Sequence, residues 1–453
     1  MGHHTPITAL YVSPDPFPDA WDARGVPRQT KEFPMKRTLA FGGLVATAGL
    51  LAAGLSAPAQ AAGDTASAPL ASTGIQAKNI AALWLAENAA NLVNATPYNV
   101  ETKTVAKHIS KGGPAPDSKP GVVPAIGDEK KTAAKSKNVN LPKTTGKVFF
   151  ADGFKWVAGP RGHWYPQAVN PHWCTATSVQ SAYHNLVATA GHCVYDTEAN
   201  KATLNYWVFV PGYYQGKTPW GIYVGKQAFT HYDYDVYEDG DRDYAFVTVY
   251  NGIKMPHDGF AGYWQLIKDG KWDELKSYAD FKETDKATYD AYKKEGVLPA
   301  FMKDGKYYVY KFADAGRLGD NVGGQGLAYN QKIGQPVFVF GYPSGSHPDG
   351  DHAFSGKTLK WSYGKTFAAQ APAIKAEELQ GVKSSFTGEG ALGSAWLLKY
   401  NNGRRLGYLN GVTIGVSDTD GNDRYDTSVS PYFDGETYGV YKAAYSLWSG
   451  SIA

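Results

Sequence analysis

His192 is where chemistry could gather in this chain. It stands in Ala188-Thr189-Ala190-Gly191-His192-Cys193, directly before one of only two cysteines. A neutral imidazole is the side chain best matched to taking and returning a proton near neutral pH. Asp241-Arg242-Asp243-Tyr244-Ala245-Phe246 offers carboxylate partners. Asp243 lies 51 residues after His192 and directly precedes an apolar run; Asp241 is its rival, and Asp235 and Asp239 read as a solvated acidic loop. A second cluster, Asp418-Thr419-Asp420-Gly421-Asn422-Asp423-Arg424-Tyr425-Asp426, sets side-chain oxygens at alternating positions. Calcium loops use that pattern, which makes Asp418, Asp420, Asn422 and Asp426 candidate ligands for a structural Ca2+. It lacks the loop glycine, replaced by Asp423, and the closing glutamate, replaced by Val429. An acidic turn held by Asx-type hydrogen bonds is the competing reading. No other cofactor is expected, because no glycine-rich phosphate loop and no zinc-type cysteine pair is present.

The elements that must position these residues read as β-rich. The 453-residue chain is 43% hydrophobic, with 31 Tyr, 12 Trp and 51 Gly, which favours turn-rich strands over a helical bundle. A net charge of +3 and the lack of a basic-aromatic patch argue against nucleic acid or an anionic membrane as partner. Residues 35–61 have the layout of a secretory signal peptide: Met35-Lys36-Arg37, an apolar run from Leu39 to Leu55, and a small-residue cleavage site ending at Ala61. No membrane span is expected after cleavage. Residues 1–34 are expected to be an untranslated upstream extension, since Lys31-Glu32 can be encoded by a ribosome-binding sequence two codons before Met35. Ile80, Leu83, Trp84, Leu85, Ala89, Leu92 and Val93 predict a helix within 76–98. Breakers and lysines over 112–147 make 62–144 as a whole a pro-segment or a spacer. From Lys147 short apolar runs alternate with turn residues, as in a sandwich or barrel. Residues 252–304 interrupt that pattern as a partly helical insertion.

The histidine motif resembles that of trypsin-like and glutamyl-endopeptidase-like serine peptidases. The resemblance spans roughly 145–447, in a domain expected over 145–450, and implies an all-β, chymotrypsin-like fold of two antiparallel six-stranded barrels. It implies that Cys193 pairs with Cys174, 19 residues upstream, and that His192 and Asp243 are the catalytic base and its orienting carboxylate. In that chemistry a serine hydroxyl loses its proton to the imidazole, and the carboxylate fixes the tautomer. The nucleophile segment departs from the family pattern. In Gly390-Ala391-Leu392-Gly393-Ser394-Ala395 the serine position holds Leu392, and Ser394 falls two residues later. Leucine forms no acyl-enzyme, although the Gly390 and Leu392 amides remain candidates for an oxyanion hole.

Three functions follow as expectations. The first is a secreted, monomeric serine-peptidase relative whose hydrolytic activity is weakened or lost, its cleft kept for a peptide or protein. The second is a working endopeptidase using Ser394 through a shifted loop. The third is a cell-wall or protein-binding module on the same fold.

Overall fold

The computed structural model describes residues 64–98, 106–126, 138–159, 164–196, 203–254, 269–271, 273 and 280–453. The expected upstream extension and signal peptide lie outside these residues. The described chain begins with strand β1 (Thr65–Pro69) and helix α1 (Gly74–Asn94), whose N-terminus is capped by the Thr73 hydroxyl accepting from the Gln76 N–H. The helix is interrupted at Ala86–Ala89, and it ends before Pro97 because a residue preceding proline is pushed to extended backbone. Three short strands follow: β2 (Thr96–Pro97), β3 (Lys107–His108) and β4 (Gly121–Val123). This part of the expected pro-segment is more integrated than its composition suggests. Leu83 and Trp84 are fully buried, and the Trp84 ring lies 5.5 Å from that of Phe149.

The first barrel comprises β5 (Thr145–Phe150), then β8 (His172–Val179), β9 (Leu186–Thr189), β10 (Val208–Pro211), β11 (Tyr223–His231) and β12 (Ala245–Val249); a hairpin of β6 (Gly153–Ala158) and β7 (Trp164–Val169) stands between β5 and β8. Its antiparallel pairing runs β5-β8-β9-β12-β11-β10 and returns to β5, so the six strands close on themselves. β1 adds to the outside edge of β11. The apolar run in β5 does not alternate, for a physical reason. Val148 and Phe150 face the main core, while Phe149 faces a second core shared with α1, so both faces of the strand are dry.

The insertion is closed at its base by β13 (Gly252–Lys254) paired with β17 (Ala313–Gly316), farther along than residue 304. Among its described residues it is partly helical, as expected. A three-stranded sheet of β14 (Asp280–Thr284), β15 (Ala300–Lys303) and β16 (Lys306–Lys311) accompanies the helix Lys286–Glu295. Tyr292, Leu298 and Tyr310 join the core of α1, and Asn79 of α1 accepts the N–H groups of Val297 and Leu298.

The second half of the protein is built from two sheets. One contains β18 (Gly326–Tyr329), β19 (Pro336–Gly341) and β20 (Lys360–Lys365); the other contains β21 (Phe367–Ala371) and β22 (Ala376–Lys383). β23 (Ala395–Asn401) and β24 (Leu406–Val412) complete the first; β25 (Gly415–Ser417) and β26 (Thr427–Pro431) complete the second. Side chains link the sheets: Ser430 Oγ accepts the Val412 N–H, and Gln380 Nε2 donates to the Asn410 carbonyl. A closed barrel followed by a more open one makes the all-β, chymotrypsin-like fold. Helix Gly435–Tyr445 then packs Val440, Tyr441 and Ala444 onto the main core.

Candidate active site

His192 sits in a single 3-10 turn, Gly191–Cys193, just after β9. The turn is pinned by the Cys174–Cys193 disulfide, which ties it to β8. Gly191 must lack a side chain, since a Cβ there would come within 2.5 Å of Tyr234 and 2.9 Å of Asp243 Oδ1. Asp243 closes the short turn before β12 and grips the histidine twice. Its Oδ1 accepts the His192 backbone N–H at 3.0 Å, and its Oδ2 lies 2.6 Å from His192 Nδ1. That second bond places the imidazole proton on Nδ1 and leaves the lone pair on Nε2, the arrangement a general base needs. Both side chains are almost wholly buried, at 1% and 2% exposure.

Asp241 does a different job. Its carboxylate accepts the backbone N–H groups of Glu377 and Glu378 in β22 at 2.9 and 2.8 Å, so it bridges the Asp243 turn to the second half. Burial raises its pKa to about 6 against the pull of those two hydrogen bonds.

The loop carrying Leu392 is clamped against β8 and β9. The Thr175 N–H donates to the Leu392 carbonyl at 2.8 Å, and the Thr175 hydroxyl donates to the Gly390 carbonyl at 2.8 Å. Gly390 and Gly393 have φ of +73° and +80°. A Cβ at Gly390 would strike the Trp173 ring and one at Gly393 the Thr175 carbonyl, so both glycines are required by conformation and by space. Among the described residues, neither the Gly390 nor the Leu392 N–H donates a hydrogen bond. Leu392 is fully buried in the main core cluster, which also contains Cys174 and Cys193. Ser394 is fully buried as well. Its Oγ donates to the Ala391 carbonyl at 2.5 Å and packs against Gly341 of β19, so the hydroxyl is engaged inside its own loop.

Two neighbours of this site were not anticipated. Tyr98, next to β2, lies over His192 with ring centroids 6.3 Å apart and planes 28° apart. The periodic reading ran the helix through Tyr98; the Thr96-Pro97 step was the signal that it stops earlier. Lys147 is the other. This lysine of an apolar strand is 3% exposed, with Nζ 3.2 Å from the Trp173 ring centroid, 4.5 Å from Tyr213 and 5.5 Å from Tyr342. Burial holds its ammonium well below the usual lysine range.

In the oxygen-rich segment from Asp418 to Asp426 the side chains make local hydrogen bonds of the kind the acidic-turn reading describes. Asp418 Oδ1 accepts the Gly421 N–H and Oδ2 the Asp423 N–H, both at 2.9 Å, which is an Asx-type turn. Asp420 accepts the Asn422 N–H, and Asp426 is taken by Lys383 and Thr419. Among the described residues no group of three His, Cys, Asp or Glu is placed to hold a metal ion.

No family model and no curated protein sequence matches the chain. Solved structures do. A protease, Anisep, from Arthrobacter nicotinovorans aligns at 22% identity and a TM-score of 0.42, covering 68% of this chain and 98% of its own. A thermostable serine protease, AL20, from an extremophilic microorganism aligns at 21% and 0.42, over 67% and 97%. A Glu endopeptidase aligns at 14% and 0.37, over 70% and 98%. Among the described residues no helix is long and apolar enough to cross a membrane.

Proposed function

We propose that this chain is a secreted serine-peptidase relative that keeps a peptide-binding cleft and has lost the acyl-enzyme step. The observation that carries the reading is the His192–Asp243 pair, intact at 2.6 Å, beside a loop that offers leucine where the hydroxyl belongs. The base and its orienting carboxylate can accept a proton, but Leu392 has none to give and forms no ester bond. The Gly390 and Leu392 N–H groups retain what an oxyanion site requires, two donors not engaged elsewhere among the described residues. Secretion is supported by the signal-peptide pattern and by the Cys174–Cys193 disulfide. The reading in which Ser394 attacks is disfavoured, because its hydroxyl is buried and bonded to Ala391.

A fluorophosphonate probe with adduct mapping tests this. Because Tyr98 covers His192, the assay uses Leu392→Ser alone and combined with Tyr98→Ala. The parent chain is expected to stay unlabelled. The double variant is expected to label at position 392 and to lose the label when His192→Ala is added. Labelling of the parent at Ser394, or an unlabelled double variant, overturns the proposal.

A further inference from the structure

We propose that the aromatic face of β19, β20 and β23 is a docking surface for an anionic polysaccharide, sharing no residue with the His192 site. The face is assembled by strand pairing. Phe338 of β19 stands opposite Tyr363 of β20, and Phe340 opposite Trp361, so all four side chains lie on one side of the sheet. The Phe338 ring centroid is 4.7 Å from that of Tyr363, 5.8 Å from Trp361 and 5.5 Å from Tyr400 of β23. Phe340 is fully buried and lies 4.8 Å from Tyr400, which roots the inner rings in the core. Trp361 and Tyr363 carry the row outward, at 46% and 54% exposure.

Positive charge collects at one end of this row. Lys365 follows Trp361 and Tyr363 at the same two-residue spacing, so it belongs to their face, and it pairs with Pro336 at the start of β19. On the other side of β19, Leu398 pairs with Val337, which brings Lys399 to the same Pro336 end. Lys332 lies in the turn before β19, where its carbonyl accepts from Gln335 Nε2. All three lysines are exposed, and among the described residues none has a carboxylate partner. Residues 332–341, 356–367 and 395–405 contain no aspartate or glutamate. The net charge of the chain is only +3, so this one-signed patch arises from placement rather than composition. Three separated segments supply it, which is why no single stretch of the sequence displays a basic-aromatic pattern.

These features select the occupant. Trp361, Tyr363 and Lys365 span about 13 Å along an extended strand, which suits a linear polymer better than a compact ligand. A pyranose ring offers a face of C–H groups that stacks on an aromatic ring, while its hydroxyls suit the indole N–H and phenol O–H at the ring edges. Carboxylate or sulfate groups on the same chain complement Lys332, Lys365 and Lys399. An apolar protein partner fits less well, because no leucine, isoleucine or valine of β19, β20 or β23 is exposed beside the rings. A nucleic-acid strand would use similar rings and cations. A polysaccharide is the polyanion met outside the cell, the location that the signal-peptide pattern and the Cys174–Cys193 disulfide favour for this chain.

Affinity electrophoresis of the full chain in native gels tests this, with polygalacturonate, alginate or hyaluronate in the gel. Retardation of the parent by at least one of these polymers is expected. The Trp361→Ala, Tyr363→Ala variant is expected to bind that polymer about tenfold more weakly, through loss of stacking. The Lys365→Ala, Lys399→Ala variant is expected to lose about tenfold as well, and to show a weaker dependence on salt. Lys294→Ala with Lys311→Ala, which removes two exposed lysines of the insertion, is expected to bind as the parent does. Thermal melts confirm that each variant is folded. No retardation by any of the three polymers overturns the proposal. So does full binding by the ring variant, or an equal loss in the insertion control, since charge alone then explains the effect. A single-stranded oligothymidylate that binds the face more tightly than every polysaccharide overturns it in favour of a nucleic-acid surface. His192→Ala is expected to leave polysaccharide binding unchanged, so the outcome here and the outcome of the fluorophosphonate experiment stand apart.

Discussion

Lys147 and Leu392 are both buried, with opposite consequences. Leu392 is apolar and buried in the main core, so it fits its surroundings. Lys147 is a titratable side chain buried among Trp173, Tyr213 and Tyr342, so its charged form costs desolvation that ring faces repay only in part. Its folded pKa is depressed from 10.5, so its stabilising contribution is complete above that value and is lost as pH falls through the folded pKa. Lys147→Met is therefore expected to be more stable than the parent at pH 7, by about 1–3 kcal/mol. The gap should shrink toward pH 10. Denaturant midpoints at pH 7 and pH 10 measure both, and a gap that widens with pH contradicts the account. His192 and Asp243 were legible as residues, because the TAGHC string and an aspartate before an apolar strand are local patterns. Their mutual distance, and the engagement of the Ser394 hydroxyl, required the fold.

At the scale of elements, the short turn from Gly240 to Asp243 serves both halves of the protein. Asp243 holds the histidine from the first barrel, and Asp241, two residues earlier, holds β22 in the second. Alternation along one turn gave the two carboxylates different partners, which sequence proximity alone could not assign. Asp241 has a folded pKa raised from 3.8 to about 6. Its contribution is thus fully present below pH 3.8 and is lost as pH rises through 6. Asp241→Asn, which cannot ionise, is expected to gain on the parent by roughly 2 kcal/mol between pH 4 and pH 7. Urea titrations at the two pH values read this difference; equal shifts for both proteins would reject it. The Asp418–Asp426 segment belongs to this same scale. Oxygen spacing in sequence predicts ligands only if the loop points them to one centre, and here backbone N–H groups donate to them.

Across the whole molecule, the N-terminal segment and the insertion do what neither composition predicted: they share one core over the outside of the first barrel. Trp84 of α1 meets Phe149 of β5, and Asn79 caps the Val297–Leu298 backbone of the insertion. Trp84→Ala is expected to cost about 3–5 kcal/mol, as for other fully buried large aromatics. A thermal melt checks it. A change within experimental error would mean that α1 is dispensable, as a simple spacer would be. The spacer reading of 112–147 came from its lysines and prolines, whereas Trp84 and β2 lie upstream of that stretch.

The sequence by itself determined the β-rich class and the Ala188–Cys193 histidine string, because composition and adjacent residues carry them. Tertiary structure decided which aspartate faces His192, where the hydroxyl of Ser394 is spent, that Tyr98 covers the imidazole, and that the first sheet closes into a barrel. Those depend on residues tens to hundreds of positions apart meeting through strand pairing and burial, and no local spacing encodes such meetings.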